Sequence, residues 1–193
     1  MIAQRSIPLA VALAPSTVAW RVALVVGGSV LIALAAQVAI PLPFSPVPVT
    51  GQTYAILVVG AALGSRLGLA TVALYIAEGS AGLPVFAPGG AVGIARLLGP
   101  TGGYLVGFAA AAFAVGWLSE RGWDRHLVRC ALAMLAGEVV VYAFGLPGLA
   151  RFVPADRILA AGLLPFVPGD LVKLVLAAAT PPAAWRALAL LRK

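Results

Sequence analysis

The sequence predicts an all-α integral membrane protein with six transmembrane helices and both termini in the cytoplasm. Of its 193 residues, 62% are hydrophobic and only 10% are charged, and the mean hydropathy is +1.06. A soluble domain is about half apolar and about a quarter charged, so the surplus apolar surface indicates lipid contact. The apolar runs are long and do not alternate with period two, which argues against a β-barrel. We expect one membrane domain, 1–193, with a core at about 20–191 and an N-terminal tail at 1–19.

The tail and the first span come before a proline-rich segment. Arg5 and a short apolar run resemble a signal peptide, but Pro15 after "ALA" disfavours cleavage, so an uncleaved tail is expected. The first span is predicted at about 20–40. The following segment, "PLPFSPVPVTG" at 41–51, has four prolines in eight residues, which exclude a helix there.

Two short helices are predicted next, at 52–63 and 67–78, with "GSR" at 64–66 between them. The alternative is one long helix, which would place Arg66 in the middle of the membrane. A lone arginine at that depth costs roughly 2.5 kcal/mol or more, so two short helices with Arg66 in the turn are preferred.

The remaining spans are predicted at 104–118, 127–146 and about 167–191. Before them lies a segment rich in glycine and proline, at 79–103, which is also apolar. A solvated linker would be polar, so this segment is expected to pack at membrane depth or as a lid.

The basic residues predict the orientation. With six spans, the side that holds both termini carries nine of them: Arg5, Arg21, Arg66, Arg121, Arg125, Arg129, Arg186, Arg192 and Lys193. The other side carries three: Arg96, Arg151 and Arg157. This excess places the termini in the cytoplasm, and segments 41–51, 79–103 and 147–165 outside.

Asp170 and Lys173, in the apolar stretch "LLPFVPGDLVKLVLAAA", are the strongest candidate site residues. Their i, i+3 spacing puts them on one helix face, just after Pro168 and Gly169 at a helix start. One interpretation is an ion pair that only holds the helix in register. The other is a ligand site, since ionisable residues within a membrane usually face a cavity. The carboxylate would accept N–H groups, and the ammonium, with Arg96, would hold a ligand carboxylate.

Other polar residues allow two interpretations each. Gln52, next to Thr50 in "VTGQT", is either a cap or a ligand contact, and Glu78 is either a solvated helix-end acid or a site residue. Glu138 is expected to bond Tyr142 or another helix. Small-residue faces at Ala35 and Ala39, and at Ala19 and Ala23, suit internal packing or docking of another membrane subunit.

Several function classes are disfavoured. The net charge of +7 follows membrane topology, so nucleic acid is not expected as a partner. "GPTGGY" at 99–104 lacks Walker spacing and a lysine, which excludes nucleotide binding there. The only histidine, His126, lies in a charged loop and the acids are scattered, so an intramembrane enzyme is disfavoured, and no metal or cofactor is expected. A scaffold without a ligand would explain the spans but not the packed loops.

Three motifs together resemble the BioY family, the substrate-binding S components of biotin transporters of the energy-coupling factor class. They are "IPLPFSPVPVTGQT" (40–53), "GLPVFAPGGAVGIARLLGPTGGYLVGF" (82–108) and "PFVPGDLVK" (165–173). The resemblance covers about 20–185 and implies an S-component fold that captures biotin on the outer side. It implies that Asp170 accepts from the ureido ring, and that Lys173 or Arg96 serves the carboxylate. It also implies site roles for Glu78, for Tyr104 and for Gly102.

The resemblance further implies partners in a cell membrane: biotin, a transmembrane coupling subunit and two ATP-binding-cassette ATPases. The alanine faces at Ala19/Ala23 and Ala35/Ala39 are the candidate docking surfaces for the coupling subunit. A solitary transporter that works without ATPases, and a related small vitamin or precursor as cargo, remain alternatives.

Overall fold

Helices make up most of the structure, a computed structural model that describes residues 8–13 and 17–191. The helices are α1 Leu9–Ala12, α2 Val18–Gln37, α3 Gln52–Ser80, α4 Ala95–Leu98, α5 Gly102–Ser119, α6 Leu127–Leu149, α7 Ile158–Gly162 and α8 Val167–Leu191. The other elements are strands β1 Ala39–Leu42 and β2 Ser45–Thr50, and 3-10 turns at Trp123–Arg125 and Ala155–Arg157. Most of the predicted tail, and the basic residues Arg5, Arg192 and Lys193, lie outside the described residues.

Helix α3 is bent back on itself at Gly64, so its two halves, 52–63 and 65–80, form an antiparallel helical hairpin. Gly64 has φ 82° and ψ 178°, a left-handed conformation that glycine adopts without steric cost. The Gln52 side chain reaches the Tyr75 hydroxyl at 2.7 Å, although a straight helix would separate these residues by about 35 Å. The predicted pair of short helices is therefore confirmed. The break lies at Gly64, and exposed Arg66 lies in the first turn of the second half.

The long helices have the length and composition of membrane spans. Within the described residues, four helices qualify: α2, α3, α5 and α6. A fifth is the pair formed by Ala155–Gly162 and Val167–Leu190, which are bent by 44° relative to each other. Many large apolar side chains on these helices are exposed, among them Leu34, Val139 and Leu176, as lipid contact requires. The helical membrane fold is thus confirmed, while six spans and cytoplasmic termini stay predictions.

The proline-rich segment forms a β-hairpin, which the sequence analysis did not predict. Strands β1 and β2 pair antiparallel, with Ala39 opposite Thr50 and Ile40 opposite Val49. Because proline lacks an N–H but is tolerated in edge strands, the prolines exclude a helix without excluding this hairpin. Helix α2 consequently ends at Gln37, and the prediction that it reaches residue 40 was wrong.

The early end of α2 changes the candidate docking surface. Ala39 lies in strand β1, so Ala35 and Ala39 do not form the expected helical face. Ala35 is half-buried, and its carbonyl oxygen lies 2.9 Å from where a Cβ on Gly51 would stand. Ala19 and Ala23, by contrast, are exposed on α2. Of the two predicted docking faces, only the one formed by Ala19 and Ala23 is therefore exposed on the surface of the protein.

The irregular segments meet at one end of the bundle, as the sequence analysis expected. Ser45 in β2 donates a 2.6 Å hydrogen bond to the carbonyl oxygen of Ala161 in α7. Gln37, at the end of α2, donates to the carbonyl oxygen of Phe86 at 3.4 Å. The β-hairpin, the segment between α3 and α5, and α7 therefore form a common cover over the helix ends. That this end faces outward stays a prediction.

Candidate functional site

A cavity lies beneath this cover, with about 590 Å³ of space between its walls when the open mouth is included. Its apolar walls come from β2, the segment between α3 and α5, helices α5 and α6, and the residue just before α8: Val47, Pro48, Phe86, Ala87, Leu105, Phe108, Val141 and Phe166. Its polar residues are Thr50, Gln52, Thr53, Arg96, Thr101, Tyr104, Tyr142, Asp170 and Lys173. Apolar walls with a few convergent polar groups are typical of a site for a small amphiphilic molecule.

An ion pair between Asp170 and Lys173 forms the polar floor of the cavity. Lys173 Nζ lies 2.7 Å from Asp170 Oδ1, and the i, i+3 spacing places both on one face of α8. The other carboxylate oxygen, Oδ2, accepts a hydrogen bond from the Tyr142 hydroxyl of α6. Asp170 is buried, so the two bonds compensate for the lost hydration of its charge. The predicted common helix face is confirmed, and the two residues form the ion pair of the first interpretation, with Tyr142 as an additional partner of Asp170.

Lys173 also ties α8 to the β-hairpin. Its ammonium donates to the Thr50 carbonyl oxygen at 3.1 Å and to Thr53 Oγ1 at 2.8 Å. An ammonium has three N–H donors, and Asp170, Thr50 and Thr53 together occupy all three. In this arrangement Lys173 holds α8, the β-hairpin and the start of α3 together at the floor of the cavity.

Arg96 is a buried cation with much of its hydrogen-bonding capacity unused. Its Nη2 donates to the Ala87 carbonyl oxygen at 2.6 Å, and the side chain is only 7% exposed. Among the described residues, no carboxylate forms a salt bridge with it. Burial lowers the pKa of Arg96 from its ordinary value, although a guanidinium stays charged in proteins. A buried cation without a counter-charge favours an anionic group in the cavity.

Thr50, Gln52 and Tyr104, which were also predicted as site residues, line the cavity. Gln52 donates to Tyr75 and accepts from the Thr50 hydroxyl at 3.1 Å. The Tyr104 hydroxyl donates to the Gly162 carbonyl oxygen at 2.8 Å, and its ring meets that of Tyr142 edge to face, with centroids 6.3 Å apart. These bonds hold the polar side chains in fixed orientations around the empty space.

Two of the predicted site residues do not line the cavity. The Glu78 carboxylate accepts a hydrogen bond from Ser29 of α2, so it joins two helices instead of facing the cavity. Gly102 is buried where a Cβ would lie 1.8 Å from the Leu97 carbonyl oxygen, and its neighbour Thr101 lines the cavity instead. Gly102 therefore permits a tight turn rather than offering a side chain.

Three polar residues of the cavity, Thr53, Thr101 and Tyr142, were missed as site residues, and one predicted bond was wrong. Glu138 bonds neither Tyr142 nor another helix, because neither of its carboxyl oxygens has a hydrogen-bond partner among the described residues. The Tyr142 hydroxyl donates to Asp170 on the facing helix instead. The i, i+4 spacing of Glu138 and Tyr142 suggested a bond within α6, while the bond across to α8 has no signal in a single sequence. Thr101 lies within the motif "GPTGGY", from which only Gly102 and Tyr104 were predicted to be site residues.

Comparisons with known proteins point to one family. The model of the BioY family matches residues 4–190. The probable biotin transporter BioY of Pyrococcus horikoshii is 39% identical, over 74% of this chain and 82% of that protein. The biotin transporter BioY of Thermotoga maritima is 40% identical, over 77% of this chain and 85% of that protein.

A solved structure has the same fold. It is a crystal structure of the S-component for biotin from an ECF-type ABC transporter, with a TM-score of 0.77 and 26% identity. The similarity covers 89% of this chain and 95% of that chain. The match to the family model along nearly the whole sequence, the close relatives and the shared fold all agree: the chain belongs to the BioY family.

Proposed function

We propose that this chain captures biotin in the cavity and serves as the biotin-specific component of an uptake transporter. As a BioY protein it is a multi-pass protein of the cell membrane and a transporter component, not an enzyme. The relatives named biotin transporters support the substrate. The observation that carries the proposal is the position of Asp170, a buried carboxylate at the floor of a cavity with apolar walls.

The two ends of biotin fit the two polar groups of the cavity. Its ureido ring presents N–H donors, which a carboxylate accepts in charge-assisted hydrogen bonds, and Asp170 is the carboxylate that lines the cavity. The thioether ring and the aliphatic chain are apolar and suit the walls formed by Phe86, Phe108 and Phe166. Ligand N–H groups would replace or supplement the bond from Tyr142.

The carboxylate of biotin fits Arg96 better than Lys173. Lys173 already uses its three donors on Asp170, Thr50 and Thr53, so a ligand would have to displace one of them. Within residues 8–13 and 17–191, Arg96 has one side-chain hydrogen bond, to the Ala87 carbonyl oxygen, and a guanidinium has five N–H groups. We therefore assign the carboxylate to Arg96 and the ordering of the floor to Lys173. Thr50, Gln52 and Tyr104 are assigned to the walls around the ring and chain.

Binding of radiolabelled biotin to the purified protein tests the proposal. Asp170→Asn should weaken binding at least about tenfold, because a hydrogen bond to a charged acceptor contributes about 1.5–3 kcal/mol. Asp156→Asn makes the same chemical change at an exposed residue outside the cavity and should bind like the wild type. Thermal unfolding should show that both variants are folded. A wild-type protein that binds no biotin, or an Asp170→Asn variant that binds normally, would contradict the proposal.

Biotin methyl ester, which lacks the negative charge of biotin, shows whether Arg96 or Lys173 binds the carboxylate. Arg96→Gln should weaken the binding of biotin but leave the binding of the uncharged ester nearly unchanged. Lys173→Gln should weaken both ligands equally, because it disturbs Asp170 at the ring end. If Lys173→Gln alone distinguishes acid from ester, the assignment of the carboxylate to Arg96 is wrong.

For transport, we propose a coupling subunit and two ATP-binding-cassette ATPases as partners. The sequence has no Walker motif, so hydrolysis would come from other chains. The similar solved protein is described as part of an ECF-type ABC transporter, which supports these partners. Uptake by proteoliposomes should require all subunits and ATP. If the chain alone transports biotin, the solitary transporter is the correct alternative.

A further inference from the structure

Glu138 is a buried acid that interacts electrostatically with the ion pair of the cavity floor and that the proposed binding scheme does not use. It lies in α6, one helical turn before Tyr142, and is only 5% exposed. Both carboxyl oxygens are buried, and neither has a hydrogen-bond partner among the described residues. An ionised carboxylate in that situation, within a membrane-spanning helix, would be strongly unfavourable.

The charged groups that act on Glu138 are those of the cavity floor. On α8 they are Asp170 and Lys173, and on its own helix the nearest titratable group is Tyr142. Helix α5 contributes Tyr104, which acts on Tyr142. The one nearby cation is thus Lys173, which Asp170 already holds at 2.7 Å.

We propose that Glu138 is a proton-holding positioning residue, neutral in the empty protein, whose protonation keeps Lys173 paired with Asp170. A neutral carboxyl group on Glu138 does not compete with Asp170 for Lys173. The floor of the cavity then carries one negative and one positive charge, which neutralise each other. Loss of the proton would add a second anion beside Asp170. Glu138 would then draw Lys173 away from Asp170, Thr50 and Thr53, and would repel an anionic ligand.

Infrared spectroscopy of the ligand-free protein in lipid tests the protonation directly. At neutral pH the wild type should show the carbonyl band of a protonated carboxylic acid, and Glu138→Gln should lack it. Glu120→Gln is the matched control, because the Glu120 carboxylate accepts hydrogen bonds from Ser65 N and Oγ at 2.8 and 2.7 Å. That variant should keep the band. A wild type without the band, or a band that Glu138→Gln retains, would overturn the proposal.

The pH dependence of biotin affinity tests the positioning role, and this part rests on the proposed function. At neutral pH Glu138→Gln, which mimics the protonated acid, should bind within about twofold of the wild type. As the pH is raised, wild-type affinity should fall by about tenfold or more, while the variant should stay nearly constant over the same range. Identical profiles, or a variant that binds poorly at every pH, would refute the role. If the wild type binds no biotin at any pH, the proposed function fails, while the infrared band still decides whether Glu138 is protonated.

Discussion

The side-chain amide of Gln52 donates a 2.7 Å hydrogen bond to the hydroxyl of Tyr75, which lies 23 residues further along the same helical element. Both side chains are buried, and Gln52 also accepts from Thr50 at the end of the β-hairpin. The bond joins the two halves of α3 at the end where the cavity opens. It therefore links the helical hairpin to the strands that cover the site.

Removal of the Tyr75 hydroxyl should destabilise the protein. In Tyr75→Phe the buried amide of Gln52 loses its partner, which costs about 1–3 kcal/mol of unfolding free energy. Tyr54→Phe is the matched control, because the Tyr54 hydroxyl is half-buried and lies 3.2 Å from Thr180 Oγ1. Denaturant unfolding in detergent should show a clearly smaller loss for this control.

A double variant tests whether Gln52 and Tyr75 stabilise the helical hairpin through their shared hydrogen bond. Gln52→Leu combined with Tyr75→Phe leaves neither polar group unpaired, so its stability should exceed that expected from the sum of the single variants. Additive losses would mean that the two side chains stabilise the hairpin independently of their hydrogen bond.

The helical hairpin could be predicted from the sequence, but the β-hairpin could not. "GSR" at 64–66 and the cost of placing Arg66 in lipid were sufficient to divide α3, because both are local effects. The prolines at 41–48 also gave a correct local result, the absence of a helix. Strand pairing between Ala39 and Thr50 depends on two segments meeting, and proline patterns give no register.

The same distinction applies to the candidate site. Asp170 and Lys173 were found because a charge pair within an apolar segment is conspicuous and its i, i+3 geometry is local. Tyr142 was missed because an aromatic residue within an apolar helix is usually a packing residue. Only the packing of α6 against α8 brings its hydroxyl to Asp170. Glu78 was misplaced for the same reason, since its partner Ser29 is 49 residues away.

Asp124 should make stability depend on pH. It lies in the 3-10 turn between α5 and α6, is 1% exposed, and accepts a 2.5 Å hydrogen bond from Trp185 Nε1. Burial raises the pKa of Asp124, outweighing the opposing effects of Trp185 and Arg125. The pKa of Asp124 is therefore higher in the folded than in the unfolded protein. The stability that Asp124 contributes is fully present below the ordinary pKa of about 4, and it is lost as the pH rises through the pKa of the folded state.

Asp124→Asn should therefore be more stable than the wild type at neutral pH, with the difference disappearing in acid. Asparagine still accepts from Trp185 and does not carry the buried charge. Thermal unfolding at a series of pH values measures the effect, and Asp156→Asn should show no such difference because Asp156 is exposed. A neutral-pH loss of stability in Asp124→Asn would show that the charge is favourable there.

The exposed small residues of α2 should govern assembly with the proposed coupling subunit. Ala19 and Ala23 are exposed, and Gly27, one turn on, has no atom within 4 Å of a would-be Cβ. Larger side chains would prevent close helix approach without reaching the cavity. Ala23→Leu and Gly27→Leu should reduce co-purification with the coupling subunit and leave biotin binding unchanged. Ala179→Leu, on the exposed face of α8, should not affect assembly. If all three variants assemble normally, this face is not the docking surface.

Gly79 should control the cover of the cavity through Phe86. The Phe86 ring lies where a Cβ on Gly79 would stand, with its Cζ at 2.3 Å, and it meets the Tyr75 ring edge to face with centroids 5.4 Å apart. Phe86 also lines the cavity, so Gly79→Ala would push a wall residue and its segment out of place. We expect biotin affinity to fall roughly tenfold, equivalent to about 1.4 kcal/mol.

Gly27→Ala provides the control for this change, because it adds the same methyl group to a helix where nothing lies within 4 Å. It should bind biotin like the wild type, so any general effect of alanine on a membrane helix is excluded. Faster dissociation of biotin from Gly79→Ala, measured by chase with unlabelled biotin, would show that the segment containing Phe86 no longer covers the cavity properly. If biotin affinity and the dissociation rate are unchanged, the Phe86 ring can move away from residue 79 without exposing the cavity.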